Sequence, residues 1–274
     1  MNLNEYIKNK QELKGAILGM LMGDLGMCKI SGKNTNAWFT MTHSDEQLDY
    51  LKLKSKMLEL NSLTTIRIQH RTTHLKKTDK DYSQWQAYSN RNSYATHIYN
   101  LVYPCGKKIV NEKILNQITD LGLFLWYLDD GYLNIRKDSN GNIKEYRVFL
   151  YTMNFSLDEV KTIQSWFISK YNISPNINKK QNGYILYFNS KKTRQFMEII
   201  DKYYDLVPCL RRKFLKEYKN KINRPIMLWG VGWVGRMSLN GAVAVCAINL
   251  PLSGRNGEIL SFSKKKALQI AKKS

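Results

Sequence analysis

The sequence contains two short apolar stretches that each end in an acidic residue, and this repeat constrains the fold more than any other feature. The first, ILGMLMGD, spans residues 17–24, and the second, LFLWYLDDG, spans residues 123–131. Each predicts one or two turns of buried helix that stop at Asp24 or Asp130. An acid gains nothing from the dipole at a helix C-terminus, so two such ends side by side favour a bound cation. We therefore predict two packed helices that present these acids to a divalent metal and a phosphate.

The segments that follow the two acids also resemble each other. Ser44 in the first copy and Ser156 in the second each precede acidic residues and an apolar-periodic run, which predicts an N-cap and a helix. Further on, YSNR at 88–91 is echoed by FNSK at 188–191, which end 67 (91 − 24) and 61 (191 − 130) residues after the respective acids. Either stretch alone would be typical of an ordinary core helix with a glycine stop. Together they indicate a duplicated architecture.

The first apolar stretch carries Gly19 and Gly23 at a spacing of four, which leaves one helix face without side chains. Such a face permits close approach to a partner helix, and the stretch is too short to span a bilayer. We expect the partner to be the helix at 121–130, with Leu125 and Asp129 at the matching positions. Asp129 is then an interface or capping residue rather than a metal ligand.

The composition is strongly basic. Lys and Arg number 43 against 22 Asp and Glu, which gives a net charge of +21. In a chain that is 43% hydrophobic, this excess indicates a folded protein with a polyanionic partner, and nucleic acid is favoured. An anionic membrane is the weaker alternative, because no basic amphipathic helix with a bulky apolar face is evident.

The cysteines and the N-terminus indicate an intracellular protein. The four cysteines lie far apart without a CxxC pair, which argues against a local zinc finger and favours a reducing compartment. No secretory signal is recognisable at the start of the sequence. The expected location is therefore bacterial or phage cytoplasm or an organelle matrix.

Several segments alternate between apolar and polar residues, as strands with one solvated face do. In residues 64–72, for example, Ile66 and Ile68 alternate with Arg67, and residues 29–42 and 176–184 read as hairpins. A face of Arg, Gln, Asn and Thr suits the major groove of DNA, although any half-solvated sheet shows the same alternation. The residues predicted to contact DNA are Lys29, Lys33, Asn34, Thr40, Arg67, Gln69, Arg71, Gln84, Gln86, Arg136, Arg147, Asn178 and Lys180.

The paired motifs, ILGMLMGDL and LFLWYLDDG, resemble those of single-chain LAGLIDADG homing endonucleases. The resemblance runs from about Lys14 to Lys216 and includes YPCGKKIV at 103–110, which is similar to the link between halves in that family. It implies an α+β fold in which two pseudo-symmetric αββαββα halves form a DNA-binding saddle, with the motif helices at its centre. The first motif departs from the family pattern at Leu25, where glycine is usual.

The resemblance implies a half-domain at 1–118, a second at 119–218, and an extension at 219–274. Within the extension, residues 226–252 are apolar and rich in glycine. A membrane helix there is disfavoured by Arg236, because an arginine near the centre of such a helix costs about 2.5–3.5 kcal/mol on insertion. The sequence supports no function for this segment.

The implied chemistry is hydrolysis of phosphodiesters on both DNA strands. Asp24 and Asp130 would bind Mg²⁺, and Mn²⁺ is expected to substitute for it. The metal site would also include Leu25 and Gly131, the residues that come directly after the two acids in the sequence. Internal alignment of the halves offers two basic residues that would assist catalysis, Arg91 and Lys191.

Two functions follow from this resemblance. The first is an intron-encoded, monomeric endonuclease that makes a double-strand break in a long, nearly asymmetric DNA site. The alternative is a maturase that binds intron RNA without hydrolysis, in which Leu25 marks a degraded site. Metal-dependent nicking separates these hypotheses, whereas steep salt dependence is expected of both.

Overall fold

The computed structural model describes residues 3–30, 35–60, 64–75, 79–221, 234–239 and 242–247. By contacts between Cα atoms the chain divides into two compact units, Met1–Asn223 and Arg224–Ser274.

The first unit begins with one αββαββα repeat. After a short 3-10 turn at Leu3–Glu5, its helices and strands are α1 (Lys10–Met22), β1 (Gly26–Cys28), β2 (Trp38–Ser44), α2 (Leu48–Glu59), β3 (Ile66–Leu75), β4 (Lys80–Ser89) and α3 (Ser93–Val102). The four strands form an antiparallel sheet in the order β1-β2-β4-β3.

The second repeat follows a one-turn helix, α4 (Glu112–Leu115). Its elements are α5 (Asp120–Asp130), β5 (Gly131–Lys137), β6 (Ile143–Tyr151), α6 (Leu157–Tyr171), β7 (Asn176–Lys180), β8 (Gly183–Phe188) and α7 (Ser190–Ile200). The sheet order β5-β6-β8-β7 repeats that of the first sheet. Three 3-10 segments, Asp201–Leu206, Pro208–Lys213 and Leu215–Lys221, follow α7. The predicted α+β fold with two αββαββα halves is confirmed.

The two motif helices, α1 and α5, lie side by side and run in the same direction. A Cβ atom at Gly19 would lie 2.0 Å from the carbonyl oxygen of Gly122, and one at Gly122 would lie 2.3 Å from that of Gly15. Gly23 faces Asp129 in the same way, at 2.5 Å from its side chain. Leu125 is buried, but the residue that faces Gly19 is Gly122. The prediction that paired Gly19 with Leu125 is therefore wrong, whereas Gly23 does face Asp129 as predicted.

Substitution of Gly19 by alanine is expected to destabilise the protein even though alanine is the better helix former by about 1 kcal/mol. The new methyl group would meet backbone atoms of Gly122 that have no rotamer with which to move away, and overpacking of this kind costs about 1–3 kcal/mol or more. Urea denaturation of Gly19→Ala measures the loss. Gly26→Ala is the matched control, since its Cβ would meet atoms at an ordinary 3.4 Å. Equal stability of the two variants would contradict the close packing.

The serine N-cap predicted for each half is present in the second half but not in the first. Ser156 forms a complete capping box with Glu159, as its position before α6 predicts. Ser44 makes no side-chain cap, because a 3-10 turn at Asp45–Gln47 comes before α2. The first strand also begins earlier than the predicted hairpin at 29–42, since pairing from Gly26 places Met27 opposite Phe39.

The second unit contains an antiparallel pair of strands, β9 (Val234–Leu239) and β10 (Ala242–Ala247). The remainder of 226–252 and the C-terminal segment lie outside the described residues. Among the helices that the structure describes, none is both long enough and apolar enough to cross a membrane.

Candidate functional site

The two motif acids lie at the C-terminal ends of the packed helices. Asp130 is the last residue of α5, and Asp24 follows α1 after Gly23. The backbone N–H of Asp24 donates a hydrogen bond of 3.0 Å to Oδ2 of Asp129 on the other helix. The end of one motif helix is thus fixed by a side chain from its partner.

Burial and mutual repulsion raise the pKa of both acids. Burial, together with the negative charges of Asp24 and Asp129, raises the pKa of Asp130 from 3.8 to about 7. Asp24 is exposed on one side, but its pKa is still raised. The main cause is partial burial, and the second is repulsion from Asp129. Carboxyl groups that resist ionisation beside one another are a favourable site for a cation.

Two lysines occupy equivalent places beside these helix ends. Lys108 Nζ donates to the carbonyl oxygen of Gly23 at 3.0 Å, and Lys213 Nζ donates to that of Leu128 at 2.6 Å. Burial lowers the pKa of Lys108, and it lowers that of Lys213 to about 8. Each ammonium group therefore compensates the negative end of one motif helix and faces the acids.

Sequence reasoning missed these lysines, although a signal was present. Lys108 follows Asp24 by 84 residues (108 − 24), and Lys213 follows Asp130 by 83 (213 − 130), which is a closer match than 67 and 61. Both lie next to other basic residues, in CGKK and RRK, where the similar spacing in the two halves is easily overlooked.

The two basic residues proposed from internal alignment have different surroundings. The guanidinium carbon of Arg91 lies 5.0 Å from the centre of the Trp38 ring, and Lys191 is exposed in the first turn of α7. In the part of the chain that the structure describes, no hydrogen bond or ion pair joins either side chain to Asp24 or Asp130. The structure favours Lys108 and Lys213 as the cations of the site.

Asp129 lies in a buried network at the same helix junction. Its carboxylate accepts from Lys54 Nζ at 3.0 Å through each oxygen, and from the Tyr50 hydroxyl at 2.8 Å. The side chains of Lys54 and Asp129 are both fully buried. With the N–H of Asp24 as a further donor, the carboxylate is satisfied, and it links α2 to both motif helices.

His43 completes this network as a neutral ring. Burial, with the positive charge of Lys54 as a second cause, lowers its pKa to about 4. Because Lys54 Nζ, 3.1 Å away, can only donate, Nε2 accepts and Nδ1–H donates to Gln47.

The possible ligand atoms of Asp24, His43 and Asp129 lie within 4.8 Å of one another. The Lys54 ammonium group already serves as the cation between two of these residues, since it bonds both His43 and Asp129. A divalent metal is therefore better matched to the carboxylates of Asp24 and Asp130, whose charges are incompletely compensated.

The residues that follow the acids differ between the halves. Gly131 begins β5, and a Cβ there would lie 2.0 Å from the Tyr127 ring. Leu25 occupies the corresponding position, and its side chain is fully buried in the core. The backbone differs at the two places, since the N–H of Leu25 donates to the carbonyl oxygen of Met20, five residues earlier, whereas that of Gly131 donates to Tyr127, four residues earlier. Leu25 and Gly131 offer a metal only main-chain oxygens.

The raised pKa of Asp130 predicts a specific pH dependence in the absence of metal. Between pH 4 and about 7 the folded state holds a proton that the unfolded state has released, so stability falls as pH rises through this range. Asp130→Asn removes this contribution. We expect the melting temperature of the variant, minus that of the wild type, to increase from pH 4.5 to pH 7.5 in EDTA. A difference that does not change with pH would contradict the assignment.

The first sheet presents one polar face. Its antiparallel register aligns Thr40 with Tyr88 and Arg67, and the next rows across the sheet join Thr42, Gln86 and Gln69, then Ser44, Gln84 and Arg71. Lys29 follows β1, with its ammonium group 5.9 Å from the centre of the Tyr99 ring. Lys33 and Asn34 lie outside the described residues. The predicted contacts on β2, β3 and β4 thus share a surface.

The second sheet brings together a smaller polar set. Asn134 pairs with Arg147, and Arg136 pairs with Glu145, on the same face as Asn178 and Lys180. Arg147 is bound to Glu145 at 2.6 Å. Tyr132, Phe149 and Tyr187 form a row on this face, whereas the equivalent row of the first sheet has a ring only at Tyr88.

Paired motif helices with acids at their ends, each followed by a four-stranded antiparallel sheet, define a duplicated α+β architecture. The family model described as the LAGLIDADG DNA endonuclease family matches residues 14–196. The chain belongs to this family.

Individual proteins and one solved structure are also similar to this chain. An uncharacterized protein of Methanocaldococcus jannaschii is 29% identical over 206 residues, which cover 74% of this chain and 73% of the relative. A probable intron-encoded endonuclease of Wickerhamomyces canadensis is 29% identical over 110 residues, 40% of this chain and 46% of the relative. The solved structure of the homing endonuclease I-WcaI bound to its DNA recognition sequence superposes with a TM-score of 0.62. It shares 17% identity and covers 82% of this chain and 93% of that one, which shows a common fold.

Proposed function

We propose that the protein is a homing endonuclease that makes a metal-dependent double-strand break in a long, nearly asymmetric DNA site. The observation that carries the proposal is the pair of acids, Asp24 and Asp130, at the ends of two packed helices, each end accompanied by a half-buried lysine. One carboxylate is available for each DNA strand. Because a single chain supplies both, the active form is a monomer.

The residues of the site have distinct roles in this proposal. A divalent cation such as Mg²⁺, held by Asp24 and Asp130, would supply an activated water and stabilise charge at the scissile phosphates. Lys108 and Lys213 hold positive charge beside the acids, where it offsets the charge of a bound phosphate. Asp129 fixes the backbone of Asp24 and contributes no ligand of its own.

The two sheets account for binding and for the asymmetry of the target. The first sheet carries arginine, glutamine and threonine side chains that can hydrogen-bond to guanine, adenine and phosphate. The second carries fewer polar groups in a different arrangement. Two half-sites of unlike sequence are the consequence, and the net charge of +21 supplies affinity for the phosphate backbone.

Selection from a randomised duplex library tests this function. The purified full-length chain is incubated with the library in Mg²⁺ and, in parallel, in EDTA. Cut molecules are recovered by ligation to an adaptor and sequenced. We expect metal-dependent cuts on both strands within one long site whose halves differ.

Two other results would contradict the proposal. Recovery of a palindromic site would refute the asymmetry. Absence of cuts by folded protein on an adequately sampled library would refute the nuclease activity, and tight binding of structured RNA by the same preparation would then support the maturase alternative.

A further inference from the structure

A row of three aromatic rings crosses the second sheet close to the motif acid. Tyr132 on β5 pairs with Phe149 on β6, which pairs in turn with Tyr187 on β8. Their ring centres are 6.5 Å and 6.1 Å apart. Tyr132 is 51% exposed, and the other two rings are partly exposed. The row lies on the sheet face opposite the buried side chains of Leu133 and Val148, so it is not part of the core.

The corresponding row of the first sheet contains one ring, that of Tyr88, which occupies the place of Tyr187. Gly26, like Tyr132, lies two residues after its motif acid, and it is aligned across the sheet with Thr40, Tyr88 and Arg67. The two halves share topology and register, but the first sheet has Gly26 and Thr40 where the second has Tyr132 and Phe149. A packing requirement of the fold would apply to both halves, so these two additional rings call for another explanation.

The position of the row indicates which base pairs it faces. Two residues of strand correspond to about 7 Å, so Tyr132 lies close to Asp130 and to the phosphate that this acid serves. The row also continues the polar face formed by Asn134, Arg136 and Arg147. A DNA duplex that contacts the polar residues and reaches the acid passes over these rings.

The chemistry of the row selects one feature of DNA. Phenyl and phenol ring edges present carbon, and they lack the paired donors and acceptors by which arginine, asparagine and glutamine read purines. The apolar group that the major groove offers is the 5-methyl of thymine. Contact with that methyl group removes apolar surface from water on both partners, whereas cytosine carries only a hydrogen at the same ring position and offers the rings no equivalent contact.

We propose that the Tyr132–Phe149–Tyr187 row makes the second sheet select thymine, through its methyl group, at the base pairs nearest the cut served by Asp130. The inference rests on the proposed endonuclease function and extends it to the composition of one half-site. The first sheet, whose counterpart row has Gly26 and Thr40 in place of two of these rings, carries no such preference.

Replacement of thymine by deoxyuridine in the selected duplex tests the proposal, because it removes the methyl group and leaves base pairing intact. Affinity is measured in EDTA, so that the duplex stays uncut. We expect each substitution within the central part of the second half-site to weaken binding by about fourfold, as expected for one buried carbon. The same substitution in the first half-site has no effect. The variant Gln69→Ala identifies the first half-site independently, because its base preferences are expected to differ from those of the wild type only in that half-site.

Two variants separate methyl recognition from general contact. Tyr132→Thr, on the exposed edge strand β5, is expected to bind thymine and deoxyuridine duplexes with more nearly equal affinity. Tyr82→Thr is the matched control, an equally exposed tyrosine of the first sheet (44%) that leaves the discrimination unchanged. Melting temperatures confirm that both variants fold.

The outcomes distinguish this proposal from the one on which it depends. A selected site that lacks thymine at these positions would overturn the inference and leave the endonuclease intact, as would equal affinity for the deoxyuridine duplex. A uniform loss of affinity in Tyr132→Thr without a change in discrimination would show stacking or general contact, and would overturn it too. Failure to select any DNA site would overturn the endonuclease proposal itself.

Discussion

Replacement of Asp130 by asparagine is expected to abolish cleavage of a selected DNA site while duplex binding is retained. Asparagine keeps the shape of the side chain but removes the charge that would hold a divalent metal. A loss of a few kcal/mol of transition-state stabilisation lowers the rate by about 10³-fold. Affinity measured in EDTA should stay equal or increase, because one negative charge near the phosphates is gone. Asp24→Asn is expected to behave in the same way.

The measurement is a single-turnover cleavage assay on plasmid DNA that resolves nicked from linear product. Asp158→Asn provides the matched control, since this acid is exposed in the first turn of α6 and pairs with Lys161 on the surface. It should cleave at the wild-type rate. Retention of linear product by either motif variant would remove that acid from the site, and loss of DNA binding together with cleavage would indicate a damaged fold instead.

The overall architecture could be predicted from the sequence because the same local rules act twice. Three features recur in the same order: an apolar run that ends in an acid, a pair of strands with alternating polar residues, and a helix with acidic residues in its first turn. Each occurrence of this order supports the interpretation of the other. The capping box at Ser156 and the alternation around Arg67 are local, and the structure shows both. Helix register was less accessible. Which residue faces Gly19 depends on how two helices cross, and sequence spacing alone does not give this.

The acids of the candidate site could also be chosen from the sequence, but their supporting residues could not. Asp24 and Asp130 stand out because they end apolar runs. Lys54 looks like one of three alternating lysines in LKLKSK. It lies four residues after Tyr50 and four before Leu58, on the apolar face of α2, and this placement was the available signal for burial. Its partner is 75 residues away, and such pairing emerges only when α2 packs against the motif helices.

Lys54→Met is expected to cost about 3–5 kcal/mol of folding free energy, the range for removing one partner of a buried ion pair. Methionine fills a similar volume, but the fully buried Asp129 carboxylate would lose the positive charge that balances it and the donor that bonds both its oxygens. The Tyr50 hydroxyl and the Asp24 N–H would remain as donors and do not neutralise that charge. Lys52→Met is the control on the same helix, because Lys52 is exposed and its distance to Asp49 is 3.9 Å. A change within about 0.5 kcal/mol is expected there.

A double-mutant cycle, measured by urea denaturation, distinguishes the charge interaction between Lys54 and Asp129 from simple packing. Asp129→Asn alone leaves the Lys54 ammonium without a charged partner, and we expect it to be destabilising as well. When both substitutions are combined, no charge is stranded, so the double variant should be more stable than the sum of the single losses predicts. Asparagine at 129 can still accept from the N–H of Asp24, so the position of that acid is preserved. If the losses simply add, or if Lys54→Met unfolds no more readily than Lys52→Met, then Lys54 and Asp129 do not hold the motif helices together through their charges.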